Sequence, residues 1–310
     1  MTALSIIVPC FNETESIDLF YDELLKNLTF IEDYELIFID DGSSDNTLSK
    51  IKALADRDNH IRYISFSRNF GKESALYAGL AKSRGDYVVL MDADLQDPPS
   101  MLEEMFSSIR TGDYDSIATR RVSRKGEPFI RSISARLFYK LINKISDLEI
   151  VDGARDFRMM NRQFVDAVLQ LNEYNRFSKG IFNWVGFKTK WMEYENIERI
   201  NGETSWSFWK LCRYSTESIV SFSTLPLSIS TFFGILFSII AFILIVIIVL
   251  RKLLFSDPVQ GWASTICIIL FLGGIQLFSI GILGKYLEKT YNETKNRPIF
   301  IIKESNLDEN

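Results

Sequence analysis

The sequence predicts a doubly wound α/β domain that hands over to two membrane-spanning helices. Three observations carry this reading. Short apolar runs alternate with helical periods through the first ninety residues, and each run empties into a polar loop, as βα units around a parallel sheet do. One run, Val88 to Met91, drives straight into Asp92-Ala93-Asp94-Leu95-Gln96-Asp97-Pro98-Pro99. Near the C-terminus, Leu227 to Leu250 and Trp262 to Gly284 carry no charge, and each is long enough to cross a hydrocarbon core of about 30 Å.

In chain order, Leu4 to Pro9 reads as a buried parallel strand ended by proline. A helix opens in the following segment 11–16, with Asn12 or Thr14 as cap, and runs to about Leu28 on Ile17, Phe20, Tyr21, Leu24 and Leu25. Tyr34 to Ile39 is the second strand and ends in Asp40-Asp41-Gly42-Ser43-Ser44-Asp45. A helix from Leu48 to Ala55 leads to a strand from Ile61 to Phe66, then the loop Ser67-Arg68-Asn69-Phe70-Gly71-Lys72. Glu73 to Ser83 is helical, and Asp86 to Met91 is the strand that meets the acids. Further on, a helix is expected from Pro128 to about Ile145 and short strands between Trp184 and Glu198.

The two apolar spans divide the chain into a domain over 1–225, a hairpin over 226–285 and a tail over 286–310. The first span is apolar on every face, unlike the helix of a globular core. Lys285, Lys289, Lys295 and Arg297 follow the second span, while the loop between the spans is short and carries Arg251 and Lys252. This charge bias places both chain ends in the cytoplasm. Gly273, Gly274, Gly281 and Gly284 permit close helix packing, including self-association. Two basic, aromatic-bearing stretches, about 129–145 and 206–222, suit the membrane interface; an ordinary helix packed on the sheet is the other reading of the first.

Composition narrows the function. A net charge of −5 gives no sign of nucleic-acid binding. With His60 as the only histidine, a Ser-His-Asp triad or multi-histidine metal site is close to excluded, and His60 reads as a surface residue. Cys10, Cys212 and Cys267 lie too far apart for a disulfide framework or zinc site and fit a reducing compartment. No Gly-x-Gly-x-x-Gly follows the first strand and no Gly-x-x-x-x-Gly-Lys-Ser/Thr occurs, so dinucleotide redox and P-loop chemistry lose their signatures.

What remains is the edge where four loops converge: 9–13, 40–45, 68–72 and 92–96. Acids at strand ends accept hydrogen bonds from ribose hydroxyls or a base N–H. Asp94 and Gln96 with Asp92 offer the hard oxygens that suit Mg²⁺ or Mn²⁺ completed by substrate phosphates. Lys72 and the nearby arginines add positive charge. Each loop alone has a plainer reading, an acidic turn for Asp92 to Asp97 or a solvated loop for Arg68 and Lys72.

Together, Ile7-Val8-Pro9-Cys10-Phe11-Asn12-Glu13, Asp40-Asp41-Gly42-Ser43, Ser67-Arg68-Asn69-Phe70-Gly71-Lys72, Asp92-Ala93-Asp94-Leu95-Gln96-Asp97-Pro98-Pro99 and the segment 152–158 resemble the family 2 glycosyltransferases of the Rossmann-like GT-A fold. The likeness is nearest to the polyprenyl-phosphate glycosyltransferases of the bactoprenol glucosyltransferase type, with dolichyl-phosphate mannose synthase as a relative. It implies inverting transfer from a nucleotide-sugar, UDP-glucose first, to a polyprenyl phosphate. UDP-GlcNAc, UDP-galactose, GDP-mannose or a modified pentose stand behind as donors. It further implies that Pro9, Glu13 and Asp41 contact the nucleoside, with Arg68 and Lys72 nearby. Asp92, Asp94 and Gln96 would hold metal and diphosphate, and Arg155 would face phosphate. Asp156 would sit at the transfer centre, and Arg120, Arg124 and Arg131 would meet the lipid phosphate. Relatives often carry a basic residue in a Gly-Glu-Ser/Thr-x-Trp segment where this chain has Ser205. A processive polysaccharide synthase would carry Gln-x-x-Arg-Trp and more spans, and neither is present. The rival from another class is a catalytically silent membrane scaffold.

Overall fold

The computed structural model describes residues 3–121, 151, 153–194, 225–255 and 261–307. Its parallel heart is β1 (Leu4–Cys10), β2 (Tyr34–Asp40), β3 (Ile61–Phe66) and β4 (Tyr87–Leu90). Helices α1 (Ile17–Asn27), α2 (Thr47–Ala55) and α3 (Lys72–Lys82) connect them, and a 3₁₀ turn leads into α4 (Leu102–Arg110). Then come β5 (Ser116–Arg121), β6 (Ala154–Asn161), α5 (Arg162–Leu169), α6 (Ser178–Trp184) and β7 (Thr189–Tyr194). Two long helices, α7 (Leu225–Phe255) and α8 (Trp262–Thr294), precede a last strand, β8 (Ile302–Ser305).

The eight strands form one sheet in the order β7-β5-β6-β4-β1-β2-β3-β8. Side chains alternate across it. Ile6 and Val8 enter a core with Phe20, Leu24, Ile51 and Phe106. Ile7 enters a second core with Ile37, Leu76, Phe164 and Phe182 on the opposite face. Burial on both faces is why these strands read as continuous apolar runs. The chain moves outward from β1 to β3 and returns with β4 on the other side of β1. The loops after β1 and β4 therefore splay apart, and a crevice opens at the switch point.

β6 runs antiparallel to β4, with Leu90 opposite Arg158. Continuing that register by two residues sets Asp92 opposite Asp156, although they lie 64 positions apart in the sequence. The side chain of Asn161 caps α5 by accepting from the Phe164 N–H at 2.8 Å, a contact worth about 1 kcal/mol.

The early boundaries agree with the sequence reading to within a few residues, with instructive differences. α1 begins at Ile17, not at an Asn12 or Thr14 cap. Asn12 has φ of 56°, and its side-chain oxygen accepts instead from the Ser44 N–H at 2.9 Å. Where short strands were expected from Trp184 to Glu198, α6 ends at Trp184 and one strand, β7, follows among the described residues. The expected helix over 129–145, the 206–222 stretch, and Arg124, Arg131 and Ser205 lie outside the described residues.

Within α7, Leu225–Leu244 is long and apolar enough to cross a membrane, and none of it is buried inside the protein. It is the one such stretch among the described residues. α8 packs beside it, with the Phe237 and Phe271 rings 5.7 Å apart and nearly perpendicular. A Cβ added at Gly273, Gly274, Gly281 or Gly284 would meet nothing within 4 Å. Among the described residues these glycines therefore have no close packing partner. The tail is not separate from the domain: β8 pairs antiparallel with β3, Ile64 facing Ser305.

Candidate active site

The register of β4 and β6 delivers two carboxylates to the switch point, and α3 supplies the cation between them. Lys72 Nζ lies 2.6 Å from Asp92 Oδ1 and 2.7 Å from Asp156 Oδ2. Lys179 Nζ stands 3.9 Å from the other oxygen of Asp156. Burial opposes charge on the Lys72 ammonium, but Asp92 and Asp156 outweigh it and raise its pKa. Burial would likewise raise Asp156, yet Lys179 and Lys72 hold it far below the usual carboxylate range. The group is thus a fixed anion at neutral pH and a poor proton acceptor. Its ion-pair partners are the two lysines.

Lys179 is held by the architecture beneath it. Glu73, in the first turn of α3, accepts from the backbone N–H of Ser178 at 2.8 Å and from its hydroxyl. Burial raises the Glu73 pKa.

A second cluster orders the acidic loop. Gln96 Oε1 accepts from Arg155 Nη2 at 2.8 Å, and Asp94 Oδ1 accepts from the Gln96 N–H at 3.1 Å. Arg155 Nε donates to the Tyr194 hydroxyl at 3.2 Å, and that hydroxyl donates to Asp97 Oδ1 at 2.7 Å. Asp97 is 1% exposed. Burial, with Asp92 adding to it, pushes its pKa to about 6 against the pull of Arg155. Asp97 does more than end a turn: it anchors a chain of hydrogen bonds from β7 through Arg155 to Gln96.

The third cluster lies at the ends of β1 to β3. Asp41 Oδ1 and Oδ2 accept from the N–H groups of Phe70 and Gly71 at 2.6 and 2.9 Å. Burial raises the Asp41 pKa, while these two N–H groups lower it. Each oxygen retains a second lone pair for a ribose or base donor. Gly42, at φ of 66°, brings the turn so close that a Cβ would lie 2.4 Å from the Arg68 carbonyl carbon. The Arg68 guanidinium stacks 4.0 Å over the Phe70 ring. Pro9 stands opposite Ile39, and β1 continues one residue further to Cys10. Glu13 accepts from the Ser16 hydroxyl at 2.9 Å and donates its N–H to Thr47 at 2.8 Å. The Cys10 thiol is buried, and burial with the Glu13, Asp40 and Asp92 charges raises its pKa, which makes it inert packing.

Arg120 keeps a partly exposed side chain. It is ion-paired across β5 and β7 with Glu193, its partner in the register. His60 stacks on Tyr34 with ring centroids 4.5 Å apart and bonds Asp58, consistent with a surface residue. Sequence reasoning missed Lys179, Tyr194 and the burial of Asp97. No local pattern marks the first two, because α6 and β7 bring them in from afar.

A doubly wound sheet with a dense ionic cluster at its switch point has the build of an α/β enzyme. Residues 5–169 match glycosyl transferase family 2. The prophage bactoprenol glucosyl transferase homolog of Escherichia coli is 43% identical over 97% of this chain and 98% of its own length. The SfII prophage-derived bactoprenol glucosyl transferase of Shigella flexneri is 42% identical over 97% and 98%. Among solved structures, glucosyl-3-phosphoglycerate synthase from Mycobacterium tuberculosis, with Mn²⁺, UDP-glucose and phosphoglyceric acid, superposes with a TM-score of 0.46 at 21% identity, over 71% of this chain and 78% of that one. The chain belongs to glycosyl transferase family 2 and is a glycosyltransferase.

Proposed function

We propose that this enzyme transfers a sugar, glucose from UDP-glucose in the first instance, to a polyprenyl phosphate at the cytoplasmic face of a membrane, with inversion and release of nucleoside diphosphate. The observation that carries this reading is the Asp92–Lys72–Asp156 triad at the switch point, in a chain whose relatives above are bactoprenol glucosyl transferases over nearly their whole length. A phosphate acceptor is already anionic at neutral pH, so it needs no strong general base. An Asp156 that stays ionised between two lysines suits orientation of the sugar or acceptor. Lys72 and Lys179 then supply charge for phosphate oxygens.

The acidic loop fits Mg²⁺ or Mn²⁺ as a partial shell. Among the described residues no three acidic, histidine or cysteine groups gather into a ready cation cage. Asp92 and Asp94 with the Gln96 amide oxygen offer a few hard ligands, and Mg²⁺ commonly completes such a shell with water and substrate phosphate. The ion would neutralise the leaving diphosphate.

The sheet supports the membrane arrangement. β8 belongs to the same sheet as β1, so the segment between Tyr194 and Ile302 crosses a bilayer an even number of times if it crosses at all. With Leu225–Leu244 as one crossing, α8 is the natural second. Both termini and the catalytic domain then share the cytoplasmic side.

The test uses the purified full chain with undecaprenyl phosphate, Mn²⁺ and a panel of donors led by UDP-glucose, reading the lipid product by mass. Acceptor-dependent release of UDP with a glucosyl-lipid product is expected. A different sugar on the lipid corrects the donor alone, and no turnover with any donor overturns transfer to polyprenyl phosphate.

A further inference from the structure

We infer that the C-terminal tail is a positioning element for the donor site, acting through Phe300 and Ile301. This rests on the reading that Asp41 and the Arg68–Gly71 loop bind the nucleotide. That loop is held from both sides. On one side Asp41 grips the Phe70 and Gly71 N–H groups at 2.6 and 2.9 Å. On the other, the Ile301 carbonyl accepts from the Ser67 N–H at 3.0 Å.

Aromatic rings continue the second contact into the site. Phe300 stacks on Phe66 with centroids 5.0 Å apart and planes inclined by 17°. Phe66, 1% exposed, meets Phe70 edge-on at 5.8 Å. Phe70 in turn carries the Arg68 guanidinium 4.0 Å above its ring. Beyond Phe300 the tail is fastened independently. Glu304 pairs with Lys52 at 2.5 Å, and Asn306 accepts from the Tyr63 N–H at 2.6 Å. Removing the Phe300 ring therefore loosens the loop while leaving the tail attached. α8 ends at Thr294, six residues before Phe300, so the same strut joins the helical hairpin to the donor loop.

The experiment measures the KM for UDP-glucose at saturating undecaprenyl phosphate in the full chain, comparing Phe300→Ala, Phe300→Tyr and Asp41→Asn with the parent. Loss of one aromatic pair should raise the donor KM about three- to tenfold in Phe300→Ala, with kcat and the acceptor KM retained. Phe300→Tyr, which keeps the stack, should restore the parent value. A merely structural role would lower the folded fraction and so Vmax, but would not move the KM of the molecules that remain folded. If Phe300→Ala melts below the assay temperature, Phe300→Leu, which keeps apolar bulk without the ring, gives the same comparison. An unchanged donor KM in the Phe300 variants beside a raised one in Asp41→Asn overturns the inference and spares the donor-site reading. An unchanged donor KM in all of them removes that reading and the inference together.

Discussion

Lys72 spans Asp92 and Asp156, and Lys179 stands further off on the other oxygen of Asp156. Replacing Asp156 with Asn keeps a side chain of the same size beside Lys72, and the Asp41 contacts to Phe70 and Gly71 do not involve Asp156. Turnover in Asp156→Asn is expected to fall by about a hundredfold or more, with UDP affinity by calorimetry within about twofold of the parent. Strongly weakened UDP binding would move Asp156 to another role. Asp97 gives a second prediction, in stability. Its folded pKa of about 6 lies above the unfolded value near 3.8, so the folded state binds the proton more tightly between those limits. That contribution is fully present below about pH 4 and is lost as pH rises through 6. Melting temperatures of the parent and Asp97→Asn, compared at pH 7.5 and 4.5, should differ more in the parent's favour at the lower pH. A constant difference would contradict the assignment.

At the scale of elements, the loops of the site are set by turns that tolerate little change. Gly42 combines a left-handed φ with an approach that leaves no room for a Cβ against the Arg68–Asn69 peptide. Gly42→Ala should therefore cost about 1–3 kcal/mol in denaturant unfolding and raise the donor KM by displacing Arg68. Wild-type stability and KM would show that the turn is not part of the donor pocket. The β1 to β4 elements were legible because apolar runs and helical periods are local properties of the chain. The α1 start was not, since Asn12 had two possible uses. Its side chain could cap a helix or bind the neighbouring 43–44 loop, and only the packing of β1 beside β2 makes the second available.

On the scale of the whole molecule, the sheet carries the topology. β8 closes the edge beside β3, tying the residues after α8 to the domain before α7. A cysteine placed at Ser256, between the helices, should react with a membrane-impermeant maleimide in intact cells. One at Lys303 should react only after permeabilisation. The parent chain, with Cys10 buried, measures the background of Cys212 and Cys267. Equal labelling at both sites would exclude the hairpin.

The sequence by itself determined the parallel strands, the loops at their carboxyl ends, the acids of the fourth loop and the apolar character of α7. These follow from composition and spacing over a few residues, where periodicity reports directly on burial. Only the tertiary structure decided what those acids meet. Asp156, Lys179, Tyr194 and Phe300 come from segments remote in the sequence, and their places depend on β6 running antiparallel to β4, on α6 docking over α3, and on β8 returning to β3. Such pairings arise from the register of distant strands, which no local pattern encodes.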